Sequence, residues 1–430
     1  MKILIKNATI VTMDLENEVL YKHHIYIQDN LILKVSKDLD YTFKPDITIN
    51  ANNDIVMPGL INMHTHVPMT LMRNYAEDVN LESWLFDHIF PFEDQMTYDD
   101  VYYGAKLGIM EMIQTGTTSF LDMYFHPQAI IQAAKEIGVR AFIAPGFVNN
   151  NLETRVKNQL ELFDKYHLSN NGLIQIFTGP HAVYTNDANS LKIAHQLALN
   201  TSKTIHIHLN ESLTEVNNCL KETNYRPMEY INHLNLTQDV NLIAAHAIHL
   251  DQNEMQIAKK HNISLVHNPS SNLKIASGVM DITKYLNFGI NVALGTDGAA
   301  SNNNLNMFNE IKLAALLAKG IYHNLEHIKS YDILKMATVN GTKALKMDHI
   351  LGKIKANYLA DLIILNHKSI NFQPQSNLID ALVYSCNAKD VKTVIIDGKI
   401  VQKNYKLLIN DFSNTINKVN EAYNRIIKEL

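Results

Sequence analysis

Cysteine is nearly absent: the 430 residues hold only Cys219 and Cys386, far apart and in neither zinc-finger nor redox spacing. Neither a disulfide framework nor a thiolate metal site is expected. Long apolar runs are missing too, and none approaches the roughly 18 to 20 residues that a membrane span needs. The opening Met-Lys-Ile-Leu-Ile-Lys6 meets charge after three apolar residues, so no export signal is expected and the cytoplasm is the default compartment. Blocks of one charge are lacking as well. Net charge is −5 with both signs interspersed, and Lys259 with Lys260 is too short a run for a nucleic-acid footprint.

What remains is a globular balance, with 46% hydrophobic and 19% charged residues, which leaves no room for long disorder. The length exceeds an ordinary domain, yet a single barrel with insertions reaches it. At the N-terminal end, Ile3 to Ile10, His24 to Gln28 and Leu31 to Val35 alternate in polarity, with Asp29-Asn30 as a tight turn, and predict a small antiparallel sheet. The pattern returns late, in Ala360 to Leu365, Val391 to Ile396 and Lys399 to Gln402, so the two ends are expected to build one sheet domain.

Between them, strand-like runs alternate with segments of helical length: Leu60 to Met63, Thr118 to Asp122, Arg140 to Pro145, Leu173 to Thr178, Thr204 to His208, Leu242 to His246, Ile263 to His267 and Asn291 to Gly295. Eight such units imply an α/β fold with a closed, parallel (β/α)8 barrel. The expected division is a composite β-sandwich from 1–56 and 357–405, a barrel over 57–356 and a helical tail over 406–430.

Chemistry in such a barrel collects where strands end. The first run closes in His64-Thr-His66, and alternate residues of a strand share a side. Later runs end in His206-Ile-His208-Leu-Asn-Glu211, in Ala-Ala-His246 and in Leu-Gly-Thr-Asp297-Gly. His64, His66, His208 and Asp297 make a plausible set for a divalent ion that keeps one position open for water. Glu211 is placed to move protons, and His246 to polarise the water without being a ligand. His206 is expected to face away from His208 and to pack between barrel and helices. A bridged metal pair would call for a carbamylated lysine at the fourth strand's end, but Leu173 to His181 contains no lysine, so one ion is expected.

The motifs resemble the amidohydrolase superfamily and, within it, the 5-methylthioadenosine/S-adenosylhomocysteine deaminases, with guanine deaminases and s-triazine chlorohydrolases as cousins. The resemblance spans nearly the whole chain and rests on Asn62 to Arg73, Glu82 to Phe86, Asp122 to His126, Gly179 to His181, His208 to Glu211, Val266 to Lys274 and Leu294 to Asn303. It implies His64, His66, His208 and Asp297 as ligands of one divalent ion, zinc before iron or manganese. It also implies Glu211, His246 and Asp297 in catalysis, and Glu93, His181 and Glu211 against the substrate. Trp84, the only tryptophan, lies in a segment that could cover the site, and a buried structural ring is the equal alternative.

The implied reaction is hydrolytic deamination of the adenine ring of 5'-methylthioadenosine, S-adenosylhomocysteine or adenosine. Relatives that accept a charged amino-acid tail often carry an arginine where the third strand ends. This chain has Pro145 there, which leaves Arg155 in the next helix as the candidate. Guanine deamination, triazine chlorohydrolysis and a catalytically silent assembly role stay open as alternatives, and the end sheet could serve a homo-oligomer interface.

Overall fold

The computed structural model describes residues 1–79, 83–409 and 411–430. Glu82, at the head of the tryptophan motif, lies outside the described residues. The barrel strands are β1 (Leu60–Thr65), β2 (Thr117–Asp122), β3 (Arg140–Ile143), β4 (Ile174–Ile176), β5 (Thr204–Leu209), β6 (Asn241–His246), β7 (Ser264–His267) and β8 (Asn291–Leu294). Each corresponds to one of the eight runs read from the sequence. They pair in parallel as two arcs of four, β4-β3-β2-β1 and β5-β6-β7-β8.

Two irregular seams join the arcs. Bridges Thr178–Ile205 and Ala182–His208 link the first arc to β5. Opposite, the Asp297 amide donates to the His64 carbonyl at 2.9 Å, and the Asn62 amide group donates to Thr296 Oγ1 at 2.7 Å. Gly295 is required at this closure: a β-carbon there would lie 2.8 Å from the His64 backbone nitrogen.

The strands obey the two-residue alternation of a strand covered on both faces. Ile205, Ile207, Leu209, Leu242 and Ala244 belong to the large cluster shared with the outer helices. Leu121, Phe142, Phe177, Ile243, Val266 and Ala293, drawn from strands all round the barrel, fill its interior with Leu345, Met347 and Leu351. In β1 a register irregularity between Asn62 and Thr65 shifts this phase, so that Met63 joins the interior cluster and the next residue, His64, joins the site.

Strands from both chain ends form one nine-stranded sheet. Ile55–Pro58 and Leu362–Leu365 pair antiparallel and stitch the ends together. Lys2–Val11, Val19–Gln28 and Leu31–Ser36 pair antiparallel, as their alternation predicted, but the first of them also has parallel neighbours. Lys2–Val11 runs parallel to Ile47–Asn50 and to Ile55–Pro58, because the chain crosses back between Ser36 and Ile47 before it pairs again. Ile3, Ile5, Ile25, Ile27, Val56, Leu362 and Ile364 give this sheet a core of its own.

A buried ion pair fastens it to the barrel. Arg140, the first residue of β3, donates from Nε and from a terminal nitrogen to the Asp361 carboxylate at 2.8 and 3.1 Å. Since Arg140 opens its strand, the sheet sits at the N-terminal end of the barrel and leaves the C-terminal mouth free. The last helix, Phe412–Glu429, lies along helix Tyr98–Gln114, where Arg425 pairs with Asp100 and donates to the Gln95 carbonyl. No helix among the described residues is long and apolar enough to cross a membrane.

Candidate active site

Four imidazoles meet at the C-terminal mouth, each with Nδ1 tied outward. His66 Nδ1 lies 2.5 Å from the Met123 carbonyl, and His208 Nδ1 lies 2.8 Å from the His181 carbonyl. His246 Nδ1 donates to Asn272 Oδ1 at 2.8 Å, and His64 Nδ1 lies 2.8 Å from His206 Nε2. A neutral ring whose Nδ1 carries the proton has a bare lone pair at Nε2. The Nε2 atoms of His66 and His208 lie 3.3 Å apart, and those of His64 and His66 lie 3.4 and 3.3 Å from Asp297 Oδ1.

Asp297 is fixed from behind. Its Oδ2 accepts from the Ser271 and Ser301 hydroxyls at 2.6 and 2.8 Å, and its Oδ1 from the Gly298 amide at 2.8 Å. Both Asp297 (φ 62°) and His246 (φ 65°) adopt left-handed backbone that a β-carbon disfavours. Such strain persists where the surroundings over-determine the geometry, and it gathers at functional sites.

Glu211 stands just past β5, with Oε1 3.7 Å from His246 Nδ1 and 3.4 Å from the Ser277 hydroxyl. The turn that carries it is pinned by Glu215, whose carboxylate accepts the Asn210 and Glu211 amides at 3.2 and 2.7 Å. Burial raises the Glu211 carboxyl above its ordinary range. Burial also drives His64 down to about 3 and His181 to about 4. At His66 burial is the largest single influence and acts in the same direction, but the hydrogen bond and charge of Asp297, the Met123 carbonyl and the charge of Asp122 together outweigh it and the ring rises to about 9.

These groups suit a divalent cation. One donor atom from each of His64, His66 and Asp297 falls within 4.8 Å of the others, and the same is true of His64, His208 and His246. His64 Nε2 is buried without a hydrogen-bond partner among the described residues. A desolvated lone pair aimed at a carboxylate and further imidazoles is costly unless a cation or proton stands among them.

A model of the Amidohydrolase family matches residues 55–401. The chain belongs to the amidohydrolase family. This amidohydrolase is 41% identical to the 5-methylthioadenosine/S-adenosylhomocysteine deaminase of Acetivibrio thermocellus over 100% of both chains. It is also 41% identical to the 5'-deoxyadenosine deaminase of Methanococcus maripaludis, over 95% of this chain and 97% of that one. Among solved structures, an adenosine deaminase from Xanthomonas campestris with bound zinc matches at TM-score 0.95 and 30% identity, covering 99% of this chain and 98% of that one.

The other residues singled out from the amidohydrolase sequence fall in different places. Glu93, on helix Phe90–Asp94, is pushed up to about 7 by burial, and Tyr124, whose hydroxyl meets Met96 Sδ at 3.7 Å, has its ring centroid 6.3 Å from that of His66. The His181 ring lies tilted at 46° against that of His208, centroids 4.7 Å apart, and its Nδ1 meets Thr185 Oγ1 at 3.1 Å. Trp84 is buried in the apolar core. Arg155 is engaged elsewhere: it donates to the Asn150 carbonyl and side-chain oxygens at 2.8, 2.9 and 2.6 Å, and to the Gly146 carbonyl at 3.2 Å.

His206 corrects the sequence reading outright. It does not pack between barrel and helices; it points inward beside His208, against His64. Two positions apart on one strand, the two share a side, while Ile205, Ile207 and Leu209 take the outer face. Ser271, Asn272, Ser277 and Ser301 were not singled out either. The first two lie inside the Val266 to Lys274 motif and Ser301 inside Leu294 to Asn303, which were the only signals available for them.

Proposed function

We propose that this amidohydrolase deaminates the adenine ring of a nucleoside, with 5'-methylthioadenosine, S-adenosylhomocysteine and adenosine as the substrate class, releasing ammonia and the inosine analogue. The observation that carries this reading is the convergence of inward-facing Nε2 atoms and the Asp297 carboxylate beside the buried acid Glu211. Relatives 41% identical over nearly all of their length bear the names of adenine-nucleoside deaminases.

In this reading His64, His66, His208 and Asp297 hold one divalent ion, zinc. When bound, the ion supplies Lewis acidity that lowers the pKa of water toward about 7. His246 accepts the proton of the attacking water at Nε2, since its Nδ1 is committed to Asn272. Glu211, whose carboxyl burial raises above its ordinary range, donates to ring N1 as water adds at C6, then takes the proton of the added hydroxyl and passes it to the departing amine, and the proton held on His246 returns to Glu211. Glu93 accepts the ribose hydroxyls, a task for a carboxylate with two acceptor directions. His181 contacts the base from the strand beside His208.

Within this class, our reading favours a neutral 5' substituent over the charged amino-acid tail of S-adenosylhomocysteine. Arg155 would have to release Asn150 and Gly146 before its guanidinium could meet an amino-acid carboxylate, and Pro145 offers no charge at the strand end.

Ammonia release across a panel of adenine nucleosides, adenine and guanine tests the reading on zinc-loaded protein. Turnover of 5'-methylthioadenosine and 5'-deoxyadenosine above S-adenosylhomocysteine is expected. Guanine turnover with every adenosine inert would replace the reading with that of a guanine deaminase.

A further inference from the structure

We infer that His206 is a positioning residue for the metal centre: it sets the tautomer of His64 and so keeps His64 Nε2 bare for the ion. The inference rests on the metal-site reading above, and follows from which atoms can donate. His206 Nδ1 lies 3.1 Å from the Ile243 carbonyl oxygen, which can only accept. The proton of a neutral His206 ring therefore sits on Nδ1, and its Nε2 is an acceptor. That Nε2 lies 2.8 Å from His64 Nδ1. His64 must then donate from Nδ1, which strips Nε2 of its proton.

Both rings are fully buried, so water cannot supply an alternative partner to either. The reversed arrangement would set a ring lone pair against the Ile243 oxygen. His66 and His208 reach the same tautomer through backbone carbonyls directly. At His64 a second imidazole stands between the ligand and its carbonyl, so a side chain, open to substitution, controls the ligand. Partners of this kind orient a ligating ring, and their loss typically costs ten- to a hundred-fold in metal affinity.

The test uses full-length, metal-free protein and zinc alone, with affinity measured by competition against a chromophoric chelator. His206→Phe, which fills the space but accepts nothing, is expected to weaken zinc binding by about 10- to 100-fold. His206→Gln, whose amide oxygen accepts the His64 proton, is expected to stay within about threefold of wild type. Ring 15N shifts of the metal-free wild type, with the His64 signals identified by their loss in His64→Gln, supply a readout that needs no fold-sensitive variant. Protonated Nδ1 and bare Nε2 on His64 are expected. A proton on His64 Nε2, or unchanged zinc affinity in His206→Phe, would overturn the inference. Wild-type protein that binds no zinc would instead overturn the metal-site reading and leave the tautomer result to stand by itself.

Discussion

Glu211 Oε1 lies 3.7 Å from His246 Nδ1, against the same nitrogen that donates to Asn272 Oδ1 at 2.8 Å. The carboxyl and the imidazole come from the ends of neighbouring strands, and each is buried. Two titratable groups this close, in environments that differ, are how one site holds an acid and a base together.

Glu211→Gln keeps the shape of the side chain but cannot shuttle a proton. Ammonia release should fall by about 10²- to 10⁴-fold while zinc content, measured by elemental analysis, stays at the wild-type level. Turnover near wild type in this variant would refute the proton-transfer role.

In the proposed function, Glu93 ties substrate affinity to pH. Burial pushes its carboxyl up to about 7. Only the ionised form accepts from both ribose hydroxyls, so it is lost as pH falls through that value and gained as pH rises. KM for the nucleoside should therefore fall as pH increases through about 7. Glu93→Gln should raise KM roughly tenfold, about 1.4 kcal/mol, with kcat changed less and the pH dependence of KM flattened. A KM–pH profile that persists unchanged in the variant would assign that titration to another group.

Removing the metal should separate stability from chemistry. Chelation is expected to abolish ammonia release and to lower the thermal midpoint, since a ligand at a hundredfold excess over its Kd contributes about 2.7 kcal/mol to the folded state. Zinc should restore both in wild type and neither in a His64→Ala, Asp297→Asn double variant. Full activity after exhaustive chelation, with no metal detected, would contradict the assigned ligand set.

Arg140 and Asp361 test how the end sheet is held. Both side chains are 2% exposed, so Arg140→Ala leaves a carboxylate buried without its partner and should cost about 3–5 kcal/mol. Replacing both residues with apolar ones of similar volume should recover part of that loss, because those two charges then need no desolvation, while Asp397, 3.8 Å from the guanidinium, loses its cation in either variant. The urea unfolding midpoints of the two variants give the comparison.

Much of this architecture is legible along the chain because it is periodic. Eight apolar runs of strand length, separated by helical segments, match eight barrel strands, and His64, His66, His208, Glu211, His246 and Asp297 all fall at or just past their ends. The parallel pairing of Lys2–Val11 is not legible, since alternation reports which side is buried and says nothing of strand direction.

Local pattern and residue chemistry are therefore enough to choose the barrel, the end of it at which the polar residues gather, and the histidines and carboxylates that meet there. The three-dimensional structure alone decides which nitrogen each histidine presents. That choice depends on the partner of the opposite ring nitrogen: Met123 and His181 carbonyls, Asn272, and the His206 imidazole, most of them brought in from other strands. It also decides that Arg155 donates to the Asn150 and Gly146 carbonyls. A hydrogen bond is satisfied by whatever atom folding brings within 3 Å or so, and sequence distance does not encode that neighbour.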